Sequence, residues 1–354
     1  MKPSDEPQLQ LPLYSPDGYK VQMSNGDYVL LVPGGNYNGL IFSEIDFTSI
    51  TIKADFTNVA FSHCYFDKTD LSGSTLSSAQ FHDCLMSESA LMWCELSDVQ
   101  FTRTSVENTR FAFSNLSRAQ FGSATTLREC NFRDTNLSGA NFTIAVLVDC
   151  EFMSTVAPDV TIRDCRLYRL NIKKSNFLGL HVKDSAIEAI AIMDSNLSGS
   201  SWSGVTSKSG HWIVSRTDFT AAYFSLCDVK NSSWNKAIFF GVVMERSNFF
   251  RNRLTKCEFE ESTMNSVGWN ETKFNQVHFI NLKASALRLR FADFYCCFLK
   301  NCIIKDSAFE YCHLWSSEAI NFDVLRPTWS QETQWHDGFI PDTQPHPTDH
   351  PKNI

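Results

Sequence analysis

Large apolar residues recur in this chain at every fifth position. In the stretch 133–142, RDTNLSGANF, Leu137 and Phe142 are the only two. A half-buried strand repeats every two residues and a helix every 3.6, so neither accounts for the spacing. Extended in both directions, the register runs through Phe42, Phe47 and Ile52, then from Phe56 to Phe121, from Leu127 to Trp202, and from Val214 to Leu314. We call each of these residues a centre. There are 54 such slots, and 52 hold Leu, Ile, Val, Met, Phe or Trp, the others being Ala157 and Ala284. The residue two before a centre is usually small, as at Ala54, Cys64, Thr69, Ser74, Ala79 and Cys84. No charged residue occupies either slot, 22 of the 29 Phe are centres, and 11 of the 12 Cys stand two before one. Two positions in five therefore face a dry interior, one roomy and one tight, and three face water.

A chain wound as a square coil satisfies this pattern. Each pentapeptide makes one side, four sides make a turn of roughly 20 residues, and turns stack about 4.8 Å apart with hydrogen bonds between coils. Each coil buries its apolar side chains only against its neighbours. Residues 42–314 make roughly 14 coils at that repeat length. The repeat A-(D/N)-(L/F)-S-x, as in Ala54-Asp55-Phe56-Thr57, Thr135-Asn136-Leu137-Ser138-Gly139 and Ala140-Asn141-Phe142-Thr143, resembles the pentapeptide-repeat family. The resemblance implies an all-β fold, a right-handed quadrilateral parallel β-helix with small terminal caps. Large residues in the small slot, at Leu170, Leu180, Ile190, Trp212, Leu282 and Leu287, predict swollen or distorted coils.

The spacing between centres is four from Ile52 to Phe56, six from Phe121 to Leu127 and twelve from Trp202 to Val214. The Gly- and Ser-rich segment 203–212 in the last break reads as a protruding loop. Residues 18–32 alternate Tyr19, Val21, Met23 and, beyond Asn25-Gly26, Tyr28 and Leu30, the pattern of a hairpin. The organisation expected is an N-terminal segment with a hairpin-like cap over 1–40, repeats over 41–315, and a C-terminal cap and disordered tail over 316–354. One or two helical turns over Ser317–Leu325, stopped by Pro327, would form that second cap. The N-terminus shows no basic segment leading into an apolar run, so the chain reads as cytoplasmic, or as exported by a route that needs no signal peptide.

No HExxH, GxSxG or GxxxxGK[ST] motif occurs. The cysteines show no paired CxxC spacing, and at inward slots they act as small apolar residues, Cys296 alone being directed outward. No catalytic residue, metal site or cofactor is expected. Sequons such as Asn136-Leu137-Ser138 follow from the repeat itself.

The net charge of −8 is unevenly spread: residues 54–121 carry −4 and residues 203–314 carry +4. Two basic clusters define the candidate contact surface, together with Lys208 and His211 of the loop. The first comprises Arg163, Arg166, Arg169, Lys173, Lys174 and Lys183, the second Arg251, Arg253, Lys256 and Lys273. The aromatics outside the register, Phe113, Tyr223, Phe240, Phe250, Phe291 and Phe298, would mark a binding face if they shared one side.

The expected function is a non-catalytic scaffold with a protein partner and no direct contact with nucleic acid. Its Phe- and Cys-rich, irregular repeats are similar to those of effectors that enteric pathogens deliver by type III secretion. The ubiquitin-ligase domain some of those carry has no counterpart after residue 315. The alternative is a DNA mimic, as in family members that protect gyrase from quinolones; it requires negative potential along most of the length, which residues 203–314 oppose.

Overall fold

The computed structural model describes residues 10–23, 25–207, 211–315, 317–335 and 339. The chain divides into two compact units, Met1–Asn176 and Phe177–Ile354. Both are parallel β-solenoids, and strands are the only regular elements among the described residues. No helix among them could cross a membrane.

The four sides follow directly from the five-residue register. In the first unit, Phe42, Phe61, Phe81, Phe101, Phe121 and Phe142 pair in parallel on one side. Their rings stack between coils, with centroids 5.5, 4.9, 5.0, 5.2 and 4.6 Å apart. The second side stacks Phe66, Met86, Val106, Leu127, Leu147 and Leu167. The third side stacks Leu71, Leu91, Phe111, Phe132 and Phe152, and the fourth Phe56, Leu76, Leu96, Leu116 and Leu137, all buried.

Sides are closed by a residue of positive φ two after the centre, for example Asn58 (57°), His63 (53°) and Gly139 (66°), except where the register breaks: none follows Ile52, and after Phe121 it is Ala124 (60°). That left-handed residue turns the chain through its corner. The repeat consensus serves the turn as well. Asn136 Oδ1 accepts the Ser138 backbone N–H at 3.1 Å and its hydroxyl at 2.5 Å, and Asp55 does the same for Thr57 at 3.0 and 2.6 Å. In the small slot, hydroxyls and thiols bond carbonyls of the coil below: Thr104 to Phe81 at 3.0 Å, Ser114 to Leu91 at 2.6 Å, Cys94 to Leu71 at 3.2 Å. These small-slot hydroxyls and thiols are thereby satisfied, whereas the buried indole nitrogens of Trp212 and Trp234 have no partner among the described residues. Burial pushes the thiols up, to about 12 at Cys94, Cys297 and Cys312.

At the N-terminal end, Gly18–Gln22 and Tyr28–Leu31 form the expected antiparallel pair, joined on its outer edge by Leu13–Ser15. Tyr37 ties the pair to the first coil. Its ring stacks on Phe56 at 5.3 Å, and its hydroxyl accepts the Val32 N–H and donates to the Leu30 carbonyl at 3.0 Å.

In the second unit the described coils run further than the register suggests. No helix forms over Ser317–Leu325. Glu318–Ile320, Asp323–Leu325 and Thr328–Trp329 are strands that place Ala319, Val324 and Trp329 on Leu299, Ile304 and Phe309. The repeat period wins because each added side finds a complete coil beneath it to bond and bury against. Trp335 packs on Phe309 at 4.8 Å and Phe339 on Phe322 at 5.4 Å, so aromatic rings cover this end. Residues 336–338 and 340–354 of the expected tail lie outside the described residues.

The loop expected over 203–212 is shorter. Thr206 bridges Ala186 and Asp228, and Ser207, fully buried, fills a centre slot. Only two residues are extra there, the step from Ile190 to its partner Trp212 being 22 against the usual 20, and 208–210, Lys208 among them, lie outside the described residues. Trp212, large in a small slot, takes up the volume Ser207 leaves, its ring 5.6 Å from that of Trp202. Leu282 and Leu287 border an apolar interior cavity of about 30 Å³, a widening of the kind their size predicts.

Opposite charges 20 residues apart pair across coils. Arg103 holds Asp83 at 2.8 and 2.7 Å, Arg118 holds Asp98 at 2.7 and 2.5 Å, and Arg326 holds Asp306 at 2.6 and 2.7 Å. The guanidinium beside each of Asp83, Asp98, Asp149 and Asp306 lowers its carboxyl below the ordinary carboxylate value. A carboxyl lowered on folding stabilises the folded state above its unfolded pKa, about 3.9, and loses that contribution as pH falls through the folded value. The thermal midpoint is therefore expected to be flat from pH 8 to about 5 and to drop below about pH 4. A midpoint that rises on acidification would refute this.

Candidate basic interface

The third side of the second unit is built from the strands Trp212–Ser215, Ser233–Asn235, Arg253–Thr255 and Lys273–Asn275, paired in parallel. Their centres, Val214, Trp234, Leu254 and Phe274, point inward and are buried. That fixes the outward columns. Ile213, Ser233, Arg253 and Lys273 form one, Ser215, Asn235, Thr255 and Asn275 the next, and the corner residues Arg216, Lys236, Lys256 and Gln276 the third.

These columns hold five cations and no acid. Arg216 is bound to Asp194, with its second nitrogen at 2.9 Å. Lys236, Arg253, Lys256 and Lys273 are exposed, and among the described residues none has a carboxylate within ion-pair distance. Arg253 and Lys273 are direct register partners, and Asp293 follows Lys273 in the next coil. Like charges placed as Arg253 and Lys273 are destabilise a sheet, whereas several other corners pair opposite charges between coils. Folding gains nothing from the exception.

Next to these columns, Arg253, Lys273, Asn275, Asp293, Tyr295 and His313 line an open groove of about 510 Å³. His313 Nδ1 lies 3.0 Å from Asp293 Oδ1, which engages the one acid there. Arg251 stands at the neighbouring corner, over the Phe250 ring at 4.8 Å and bound to Glu271 at 2.7 Å. The groove offers cations, an amide and a phenol, and no nucleophile with an adjacent base. No group of three or more metal-ligating side chains occurs among the described residues.

The structure thus brings together Arg251, Arg253, Lys256 and Lys273 of the second sequence cluster and adds Arg216 and Lys236. The signal for those two is the column of 20-residue spacings that runs back from Lys256. The first cluster is not one patch. Arg163 lies on the first side, Arg166 and Arg169 on the second, and Lys173 and Lys174 on the third, with Arg169 bound to Asp149 at 2.6 Å and Arg163 to Asp164 at 3.3 Å. Lys183 belongs to the other unit and lies 3.9 Å from Asp184. His211 is exposed at the short insertion. The off-register aromatics do not share a side: Tyr223 lies on the first, Phe250 and Phe291 on the second, Phe240 and Phe298 on the fourth, and Phe113, in the first unit, at a corner of the third stacked on Trp93 at 5.5 Å.

Family models described as a pentapeptide repeat region and as pentapeptide repeats (8 copies) match residues 54–127 and 123–156. No curated protein sequence matches the chain. Among solved structures, the chain is similar to HetL, a pentapeptide repeat protein involved in heterocyst differentiation regulation from the cyanobacterium Nostoc sp. strain PCC 7120. Identity is 13%, over 88% of this chain and 93% of that one, with a TM-score of 0.28. Full-length QnrB1, a plasmid-mediated fluoroquinolone resistance protein, is 15% identical over 70% of this chain and 94% of its own, with a TM-score of 0.21. Rfr23 from the cyanobacterium Cyanothece 51142 is 13% identical over 30% and 63%, with a TM-score of 0.23.

Proposed function

Since the chain is a pentapeptide-repeat protein, we propose that it works as a non-catalytic interaction scaffold whose basic face, residues 213–276, receives an acidic segment of a protein partner. The observation that carries this reading is the stacking of unpaired like charges, Arg253 on Lys273 and Lys236 beside Lys256, where other corners, such as Arg251 with Glu271 and Arg326 with Asp306, pair opposite ones. A partner's carboxylates supply the missing counter-charges. Action as an exported bacterial effector forms part of the proposal; it is supported by the resemblance of the Phe- and Cys-rich repeats.

Fluorescence anisotropy with a labelled Glu- and Asp-rich peptide tests the face. Binding that weakens steeply between about 0.05 and 0.5 M salt is expected, as the Debye length falls well below the reach of such charges. No binding at the lower salt, or equally tight binding of a duplex oligonucleotide, would count against the proposal.

A second reading has its own observation. Asp67, Glu88, Glu107 and Glu129 lie on the second side of the first unit. A DNA mimic that binds gyrase would present such a face, and inhibition of gyrase supercoiling by the chain would select this reading over the first.

A further inference from the structure

On the second side of the second unit, the slot just before the centre is held in successive coils by Asp228, Asn248, Gly268 and Arg288. Gly268 is the only glycine in that slot in the whole register. Its backbone does not require one, because its φ is not among the positive values that mark this chain's turns. Glycine inside a strand without a conformational need marks a place where something approaches the backbone closely.

Gly268, itself buried, lies at the base of a notch of about 330 Å³ bordered by Arg246, Asn248, Ser266, Asn270 and Arg288, and the absence of its side chain lets the Asn248 amide lean across it. A Cβ at 268 would lie 2.9 Å from Asn248 Oδ1 and 3.9 Å from Asn270 Nδ2. The polar atoms facing the notch have a defined sense. Asn248 Nδ2 donates to Asp228 at 3.1 Å, which leaves its oxygen toward the gap. Asn270 Oδ1 accepts the Arg290 N–H at 3.1 Å, which leaves its NH₂ toward the gap. Arg246 and Arg288 are exposed on the coils either side of the gap, and among the described residues neither has an ion-pair partner. Two coils at about 4.8 Å each set these flanking rows roughly 10 Å apart, room for one tetrahedral oxyanion between two guanidinium groups.

We propose that this notch binds a phosphate group, free or as a monoester. The two guanidinium groups and the Asn270 amide donate to its oxygens, and Asn248 Oδ1 accepts a P–OH proton, which hydrogen phosphate carries at neutral pH and a monoester carries as its monoanion, below about pH 6. The acceptor matters, because sulfate at neutral pH has the same shape and charge and no proton to give. The site stands apart from the basic face, and its test does not depend on that reading.

Inorganic phosphate, O-phosphoserine and sulfate titrated into the full chain by calorimetry decide the matter. At about pH 5.5, where the monoester keeps its P–OH proton, phosphate or phosphoserine should bind with a dissociation constant of about 1 mM or better, and sulfate at least about tenfold more weakly. The tighter of the first two tells free phosphate from a phosphorylated partner. Gly268→Asn repeats the residue one coil below, so the solenoid accommodates it while the notch is filled. It should weaken binding by at least about tenfold, and Arg246→Gln and Arg288→Gln should each weaken it several-fold. Absence of binding to the wild-type chain at about 10 mM phosphate, equal affinity for sulfate, or unchanged affinity in a folded Gly268→Asn variant would overturn the assignment.

Discussion

Replacing Phe101 by alanine should destabilise the first unit by about 3–5 kcal/mol, a large part of the 5–15 kcal/mol that holds a typical domain. The ring is fully buried and sandwiched face to face between Phe81 at 5.0 Å and Phe121 at 5.2 Å, with Phe111 edge-on at 6.2 Å. The site collapses poorly, because Phe81, Phe111 and Phe121 around it are rings held in place by their own coils' hydrogen bonds. The loss therefore combines the transfer of a phenyl group with the void it leaves. Phe101→Leu, which keeps most of the volume, should cost less than about 1.5 kcal/mol. Phe113→Ala serves as the control: that ring is 45% exposed, and its loss should stay within about 0.5 kcal/mol. Denaturant midpoints of the three variants check the order, and a Phe113→Ala cost equal to that of Phe101→Ala would refute the interior stacking account.

The second large effect sets binding against stability. The triple variant Arg253→Glu, Lys256→Glu, Lys273→Glu should bind the acidic probe at least about 100-fold more weakly, since each attraction becomes a repulsion. The single variant Arg253→Glu should lose affinity while gaining stability. A glutamate there faces Lys273 across one coil step and Ser233 across the other, as Glu271 faces Arg251 at 2.7 Å. Such an exposed pair contributes about 0.2–1 kcal/mol. Opposite signs in the two measurements identify a face kept for binding at the expense of folding. If Arg253→Glu left the affinity unchanged, the basic face would not be the docking surface.

Much of this was legible because the interior takes two residues of every five, and both slots constrain side-chain size. Where the constraint is shared between slots, the reading loses track. Ser207 is a centre too small to be recognised, and its deficit is made good by Trp212 in the slot meant to be small, so 203–212 reads as a loop. Ala319, Val324 and Trp329 continue the spacing from Leu314 without a break. Taken with Ile320 and Leu325 they also look like a short amphipathic helix, and only the coil beneath them decides. The two basic clusters show the same contrast. Five residues turn a corner, so Arg163, Arg166 and Lys173, close in sequence, look out from three different sides. Lys236 and Lys256, 20 apart, look out from one. Proximity along this chain disperses residues; the 20-residue step gathers them.

The left-handed corners also dictate how a molecule of this kind can change length. Every break in the register falls between two sides: one residue is lacking after Ile52, where the left-handed residue is missing too, one is added before Ala124, and two are added between Ser207 and Trp212. A residue inserted within a side would exchange inside for outside along that strand, whereas at a bend it can bulge outward and leave the walls in step. Evolution and engineering are thereby offered two separate operations, lengthening by whole pentapeptides and ornamenting the edges. The 208–211 position is a ready place to display a foreign peptide on an undisturbed frame.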